Sequence, residues 1–132
     1  MKFISLQHIS IEDPGTFKDF LIEDGHSITT IQLDEGDSIP NNLDEFDAML
    51  CMGGPMDTFM EDQYPWLVTE KKAIGEYVLN LKKPFLGFCL GCQLLGEVLG
   101  GKVVESKPPE IGVLDINIEA VSYTHLTLPT KA

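Results

Sequence analysis

The sequence predicts an α/β fold in three layers (α/β/α), with a mostly parallel sheet and helices on both faces. One observation is that β-rich apolar segments alternate with segments of helical periodicity along the chain. A second is that proline and glycine separate these segments, as at Asp13-Pro14 and Lys83-Pro84. A third is that two expected strands end at Gly53-Gly54 and at Cys89, where the sites of such sheets form.

The first strand is expected over residues 2–7, which alternate in polarity and are rich in β-formers. A helix follows, with Asp13 as its N-cap, proline at its first position and Gly25 as a left-handed stop. Two further strands are expected over residues 27–33 and 46–52, and the second of them reads as buried.

A longer helix is expected over residues 66–81, whose apolar residues recur at i, i+3, i+4 and i+7. Residues 85–88 are a short apolar strand, and the helix after it stops at Gly100-Gly101. Residues 113–118 alternate like another strand. Residues 122–132 have no element pattern, which is an unusual ending for an α/β sheet.

Length and composition indicate one globular domain, since the chain has 132 residues, 43% hydrophobic and 23% charged. No apolar run is long enough to span a membrane and no secretory leader opens the sequence, so we expect a cytoplasmic protein without a membrane partner. The net charge of −12 repels phosphate backbones and argues against nucleic acid as a partner. Neither a metal nor a cofactor is predicted.

Three cysteines without a secretory leader argue against a disulfide framework. Cys51 lies inside an apolar strand and is interpreted as core. Cys89 and Cys92 have the spacing of a redox pair, and that use stays open, although the flanking residues favour a different arrangement.

Gly87-Phe88-Cys89-Leu90-Gly91 is a G-x-C-x-G sequence between an expected strand and an expected helix. A nucleophile on so tight a turn has a strained backbone, and the residues two positions away must be small. The turn lifts the side chain out of the sheet edge, and the N-terminus of the next helix favours a negatively charged sulfur. Backbone N–H groups there can stabilise an oxyanion, so the pattern predicts thiol attack on a carbonyl. A buried, inert cysteine is the alternative.

Gly53-Gly54-Pro55 follows a buried strand. Glycine lets the backbone approach a ligand closely, and a freed N–H can donate to an oxyanion. Taken alone, the segment would be a simple tight turn. Beside an elbow on a nearby strand, it is interpreted as part of the same site.

Two segments together resemble the class-I (triad) glutamine amidotransferases, over about residues 1–119. The segment around Cys89, with its Leu-Gly-x-Gln continuation, is similar to the family's nucleophile segment, and the Gly53-Gly54 loop is similar to its oxyanion loop. Residues 62–67 and 110–112 are closer to the branch that resembles the glutaminase domain of GMP synthase. The resemblance implies a flavodoxin-like fold with the C-terminal part of the domain missing from this chain.

The resemblance also implies hydrolysis of the glutamine side-chain amide, with Cys89 as the catalytic residue forming a γ-glutamyl thioester and releasing ammonia. The N–H groups of Gly54 and Leu90 would form the oxyanion hole, and Gln93 and Gly53 would bind the substrate glutamine. The ammonia would pass to an acceptor on a synthetase domain or partner, or be released.

The family completes its triad with a His and a Glu two residues apart, well downstream, and no such pair is present. His125 is not assigned that role, and His8 and His26 are interpreted as surface histidines. We therefore expect residues 1–120 to be the N-terminal portion of an amidotransferase-like domain. Residues 121–132 are expected to be a tail foreign to that fold, and the chain is expected to be inactive alone.

Two other functions stay open. One is another thiol hydrolase of the same fold, such as a γ-glutamyl hydrolase or a cysteine peptidase relative; the other is a non-catalytic binding domain. Gln93 and the Gly-Gly-Pro loop favour the amidotransferase, whereas only the missing His/Glu pair supports a binding domain.

Overall fold

A computed structural model describes residues 1–118 and contains one parallel sheet of four strands. The strands are β1 (Lys2–Gln7), β2 (Ser27–Gln32), β3 (Ala48–Cys51) and β4 (Phe85–Gly87), in the order β2-β1-β3-β4. Central β1 pairs with β2 through Phe3 opposite Ile28, and with β3 through Phe3 opposite Ala48. The predicted parallel sheet is confirmed.

Within residues 1–118, three α-helices flank the sheet: α1 (Thr16–Glu23), α2 (Trp66–Gly75) and α3 (Leu90–Val98). A π-helical turn, Glu76–Asn80, prolongs α2, and short 3₁₀ turns cover Leu33–Glu35 and Leu43–Glu45. The predicted helix over residues 66–81 is therefore helical to Asn80, with a wider turn at its end. No helix within residues 1–118 is both long enough and apolar enough to cross a bilayer.

The core lies on both faces of the sheet, as expected for a parallel sheet buried between helices. One face packs beneath α1, where Leu21 meets Phe3 and Leu50. The other face packs beneath α2 and α3, and its buried side chains include Ile4, Leu6, Met49, Cys51, Leu67, Ile74, Tyr77, Leu90 and Leu94. The arrangement is the three-layer α/β/α fold of the flavodoxin-like type.

The predicted start of α1 is wrong by a few residues. Gly15 is the N-cap, and its φ of 53° prevents a helix from running through it. The Asp13 carboxylate instead accepts a hydrogen bond from the Gly15 N–H at 2.9 Å, in the turn before the helix. The predicted stop is confirmed, because Gly25 has a φ of 82°.

The strand predicted over residues 113–118 is also wrong, because that segment has no regular structure. Its apolar side chains are exposed, including Ile116 at 82%. Alternating polarity describes a strand only when a neighbouring strand offers ladder hydrogen bonds, and within residues 1–118 the segment has no such partner.

The strand order identifies the edge of the sheet at which a ligand is expected to bind. The chain leaves β1 toward β2 on one side and later returns to β3 on the other, so the β1/β3 gap is the topological switch point. His8 follows β1, Gly53 follows β3 and Cys89 follows β4, all at the carboxyl ends of their strands. Ligands bind at this edge in open α/β sheets.

Candidate active site

Cys89 lies on the turn between β4 and α3, in a backbone conformation that ordinary residues avoid. Its φ is 50° and its ψ is −107°, and its side chain is exposed. A non-glycine residue at positive φ is strained, and such strain concentrates at functional sites. The predicted bend at this cysteine is present, and its thiol is not packed in the interior.

The glycines on either side of Cys89 are required by close backbone contact. A Cβ at Gly87 would lie 2.6 Å from the Cys92 nitrogen, and a Cβ at Gly91 would lie 2.7 Å from the Cys51 carbonyl carbon. The elbow is also tied to β3, because the Phe88 N–H donates to the Cys51 oxygen at 2.9 Å. The G-x-C-x-G spacing therefore follows from how closely β3, the turn and α3 approach one another.

The Gly53-Gly54 loop lies directly against this elbow. A Cβ built on Gly54 would stand 3.2 Å from Leu90 Cδ2, and one built on Gly53 would stand 3.4 Å from Cys89 Cβ. Within the part of the chain that the structure describes, the N–H groups of Gly54 and Leu90 donate to no acceptor. Two unpaired donors thus lie on neighbouring backbone segments beside the thiol.

Glu12 borders the same loop from the segment after β1. A side chain at Gly53 would collide with the Glu12 carboxylate oxygen, so Gly53 fills the gap between Glu12 and Cys89 without a side chain. The carboxylate is the far end of a flexible side chain that can turn away, so this contact alone does not require glycine at position 53.

Gln93 lies one helical turn beyond Cys89, with its N–H donating to the Cys89 carbonyl at 3.1 Å. Its exposed side chain lines a cavity of about 600 Å³ between α3 and the segments on either side. Asp57, Phe59 and Glu105 are among the other residues that line it. The cavity borders α3 on the side that carries the glutamine predicted to contact substrate.

The loop beyond Gly54 is fastened to both helices of that layer. Lys71 on α2 contacts Glu61 at 2.8 Å and Glu97 on α3 at 2.9 Å. Thr58 is fully buried and donates to Glu97 at 2.6 Å. Burial raises the pKa of Glu97, but the hydrogen bonds from Lys71 and Thr58 outweigh it and the net shift is downward.

The interpretation of His8 as a surface histidine is wrong, because its side chain is fully buried. Its Nδ1 lies 3.0 Å from the Gly53 oxygen and its Nε2 lies 2.7 Å from Glu70 Oε1. Its ring stacks on Trp66 with centroids 5.4 Å apart. The chain turns inward after β1 and buries His8 beneath the glycine loop, which alternation within the strand does not reveal.

Cys51 and Glu70 complete a buried polar cluster with His8. Cys51 Sγ donates to Glu70 Oε1 at 3.4 Å, and Glu70 Oε2 is buried with no partner among the described residues. Burial, with the charge and hydrogen bond of Glu70, raises the pKa of the Cys51 thiol well above its ordinary value. Cys51 is core as predicted, but it belongs to a polar network and is not simply apolar packing.

The charges around His8 favour its protonated form. Burial lowers the pKa of His8, but the hydrogen bond and charge of Glu70, the Gly53 carbonyl and the charge of Glu12 outweigh it, so the net shift is upward. The ligand atoms of His8, Cys51 and Glu70 lie within 4.8 Å of one another. Their mutual hydrogen bonds account for that clustering.

A protein-family model described as class-I glutamine amidotransferase matches residues 17–126. The chain belongs to the class-I glutamine amidotransferase family. The match covers β2, β3, β4, α2, α3 and all but the first residue of α1, and it therefore includes the glycine loop and the Cys89 elbow.

Two curated relatives show the range of similarity. The glutamine amidotransferase-like protein YfeJ of Salmonella typhimurium is 32% identical over 121 residues, which cover 89% of this chain and 50% of YfeJ. A glutamine-hydrolysing GMP synthase component from Sulfurisphaera tokodaii is 38% identical over 79 residues, covering 58% of this chain and 37% of that relative. The chain spans half or less of the length of these relatives.

Two solved structures that are similar to this chain are also glutamine amidotransferases. A glutamine amidotransferase from Methylobacillus flagellatus has a TM-score of 0.76 and 32% identity, over 84% of this chain and 43% of that one. One from Thermotoga maritima has a TM-score of 0.71 and 34% identity, over 76% of this chain and 43% of that one. These likenesses agree with the α/β/α fold described above.

Sequence reasoning missed His8 and Glu70, although each carries a signal. His8 directly follows the first strand, at the sheet edge where the glycine loop and Cys89 also lie. Glu70 lies between Leu67 and Ile74 on the apolar face of α2, and a charge on a buried helix face needs a partner. His26 is half-buried and accepts from the N-terminal amine at 3.1 Å, while His125 lies outside the described residues.

Proposed function

We propose that this chain carries the nucleophilic half of a glutaminase site, with Cys89 as the catalytic residue. The observation that carries the proposal is the exposed thiol at a φ of 50° between β4 and α3, beside two backbone N–H groups that have no acceptor among residues 1–118. A strained, exposed nucleophile next to free donors is the arrangement that acyl transfer requires. Family membership supports glutamine as the acyl donor.

In the proposed reaction, the Cys89 sulfur attacks the side-chain amide carbon of glutamine and forms a tetrahedral intermediate. The N–H groups of Gly54 and Leu90 bind its oxyanion. The intermediate collapses by breaking the carbon–nitrogen bond, which releases ammonia and leaves a γ-glutamyl thioester. Water then hydrolyses the thioester to glutamate and regenerates the thiol.

Substrate binding is proposed for Gln93 and Gly53. Gln93 lines the cavity beside α3, and Gly53 lies directly beside Cys89, where an added Cβ would stand 3.4 Å from the Cys89 Cβ. A cavity of about 600 Å³ has room for an amino acid substrate. The cavity supports the role of Gln93, and the contact with Cys89 supports the role of Gly53.

The proton that the leaving ammonia needs would come from a His/Glu pair in the part of the family domain that residues 1–118 do not contain. Residues 1–120 are proposed as the nucleophile-bearing portion of the domain. The foreign-tail prediction for residues 121–132 stays a prediction, since they lie outside the described part. The GMP synthase relatives support ammonia transfer to a synthetase domain or partner as the use of this site.

The test is ammonia release from glutamine by a chain that contains the complete family domain. We expect turnover with the native residues, loss to the background rate in Cys89→Ala, and near-native turnover in Cys92→Ser, which removes the neighbouring exposed thiol. The 132-residue chain alone is expected to release no ammonia. Unchanged release in Cys89→Ala would refute the proposal. Preference for γ-glutamyl peptides over glutamine would favour the related hydrolase instead.

A further inference from the structure

We propose that His8 is a positioning residue for the oxyanion hole, holding the peptide unit between Gly53 and Gly54 in the orientation that catalysis needs. The inference rests on the proposed function, because it concerns the donor assigned to the oxyanion. It starts from a direct contact, since His8 Nδ1 lies 3.0 Å from the Gly53 carbonyl oxygen.

The Gly53 carbonyl and the Gly54 N–H belong to one planar peptide unit. In a trans peptide they point in opposite directions, so fixing one fixes the other. His8 holds the carbonyl toward the core, and the Gly54 N–H must therefore point to the opposite side, where it has no acceptor within residues 1–118. Two successive glycines would otherwise let this peptide rotate readily.

The His8 side chain is itself held by ring stacking and by hydrogen bonds from both of its ring nitrogens. Its ring stacks on Trp66, and its Nε2 is bonded to Glu70, which lies one turn further along α2. Glu70 is held in turn by Cys51 on β3, and all three members of this network are fully buried. A side chain with both ring nitrogens bonded and its ring packed can hold a peptide in one orientation.

The hydrogen on Nδ1 does not depend on the charge state of the ring. A carbonyl oxygen only accepts, so the contact with Gly53 requires Nδ1–H in both the neutral and the protonated imidazole. The titratable groups that face His8 are Glu70 from α2, Cys51 from β3 and Glu12 from the loop after β1. The two carboxylates favour the protonated ring, in which both nitrogens donate.

Two substitutions separate the contacts of His8. His8→Asn places an amide nitrogen near the Nδ1 position and keeps a donor for Gly53, but it cannot reach Glu70. His8→Gln places its amide near Nε2 and keeps the contact with Glu70 while losing the one with Gly53. Both remove the ring from Trp66, so the loss of that stacking is common to the two variants.

The first measurement uses the 132-residue chain and needs no activity. In ¹⁵N–¹H spectra, we expect the Gly54 amide resonance to stay close to its native position in His8→Asn and to shift or broaden in His8→Gln. The amide of Gly25, which precedes β2 at the opposite edge of the sheet from His8, serves as the control. A native Gly54 resonance in His8→Gln, or equal shifts in both variants, would overturn the proposal.

The second measurement is glutamine turnover in the complete family domain. Because an oxyanion contact forms only in the transition state, we expect His8→Gln to lower kcat by about 10- to 100-fold with little change in KM. His8→Asn should stay within about threefold of native kcat, a smaller loss than the removal of an oxyanion donor causes. If the native domain released no ammonia, the proposed function would be refuted. The Gly54 amide resonance in the His8 variants would still show whether His8 fixes the Gly53–Gly54 peptide.

A further pair of variants covers the case in which neither His8 variant folds. Glu70→Gln keeps a hydrogen-bonding partner for Nε2, whereas Glu70→Met has similar volume and removes it. We expect the Gly54 amide to stay native-like in Glu70→Gln and to shift in Glu70→Met. A native Gly54 resonance in Glu70→Met would contradict the proposal, since the orientation of the Gly53–Gly54 peptide would then not depend on the hydrogen-bonded network that fixes His8.

Discussion

The three thiols of this chain occupy different environments. Cys89 is exposed on a strained turn, Cys92 is exposed on the first turn of α3, and Cys51 is buried against Glu70. Only a thiolate reacts rapidly with alkylating reagents, and only when the reagent can reach it. Exposure and local charge thus distinguish the proposed nucleophile from the structural cysteine.

We predict that iodoacetamide at pH 8 alkylates Cys89 but not Cys51 in the folded chain. Cys51 has no access to solvent, and burial with Glu70 raises the pKa of its thiol well above 9.0. Cys51 can be alkylated only when the chain unfolds around it. In a domain of ordinary stability this makes its alkylation slower than that of an exposed thiol by about a thousandfold or more.

The measurement is mass spectrometry of Cys92→Ser, in which Cys89 and Cys51 are the remaining thiols. One label is expected in buffer and two in denaturing urea. Label on Cys51 under native conditions would show that the cluster with His8 opens readily, and would contradict the prediction.

For individual residues, the sequence predicts the role of those whose function depends on local spacing. The elbow is found from Gly87, Cys89 and Gly91 because the steric need for glycine lies within five consecutive positions. His8 and Glu70 are 62 positions apart, and no local pattern reports that they are hydrogen-bonded. Their pairing is a tertiary contact, which is why the single-sequence interpretation of His8 was wrong.

Among the elements, α3 contains two glycines in different surroundings. Gly91 lies against β3, where a Cβ would stand 2.7 Å from the Cys51 carbonyl carbon. Gly96 has nothing within 4 Å of an added Cβ. One glycine is required by close packing, and the other only lowers the helix propensity.

We predict opposite effects for alanine at these two positions. Gly91→Ala should lower the free energy of unfolding by about 1–3 kcal/mol, because the clash is with backbone and β3 or α3 must shift. Gly96→Ala should raise it by about 0.5–1 kcal/mol, since alanine favours a helical position that has room for its methyl group. Urea titration followed by circular dichroism measures both. Equal effects at the two positions would mean that α3 does not pack on β3 as described.

The boundaries of elements were predictable where local chemistry sets them. β1 was predicted over its observed range, and α1 ends just before Gly25 as expected. The start of α1 was not, because the positive φ of Gly15 follows from the turn that Asp13 makes and not from capping preference. The strand predicted over 113–118 was wrong for a different reason. A strand needs a neighbouring strand to pair with, and alternating polarity does not reveal whether one is present.

For the whole molecule, the two sides of the sheet are unequally covered. Within residues 1–118, α2 and α3 cover the face beneath the Gly53-Gly54 loop, whereas α1 covers the other face and leaves Phe17 beside an apolar cavity of about 250 Å³. The well-covered side also holds the buried polar groups His8 and Tyr77. Its stability should therefore respond to pH through those groups.

Tyr77 makes that response measurable at alkaline pH. Its hydroxyl is buried and donates to the Phe46 oxygen at 3.0 Å. Burial, with the charges of Asp47 and Asp44, raises its pKa from 10.0 to about 12. Above pH 10 the unfolded chain ionises this tyrosine while the folded chain keeps it protonated, so stability is full below pH 10 and falls as pH rises toward 12.

We predict that the Tyr77→Phe variant is less stable than the native chain near pH 8 and more stable than the native chain near pH 12. Near pH 8 the variant should be less stable by about 0.5–1.5 kcal/mol, because it lacks the hydrogen bond to Phe46. Between pH 10 and about 12 its deficit should shrink by up to about 1.4 kcal/mol per pH unit and then change sign.

Comparing the two chains at each pH isolates Tyr77 from other groups that titrate in the same window. Burial lowers the pKa of Lys71, but hydrogen bonds to Glu61 and Glu97 outweigh it, so its stabilisation also fades as pH rises. That loss is common to both chains and cancels in the difference. Urea unfolding at pH 8, 10 and 11 gives the difference directly. A deficit that stays constant over this range would mean that Tyr77 ionises equally well in the folded and unfolded chains, and that the layer beneath α2 is open to water.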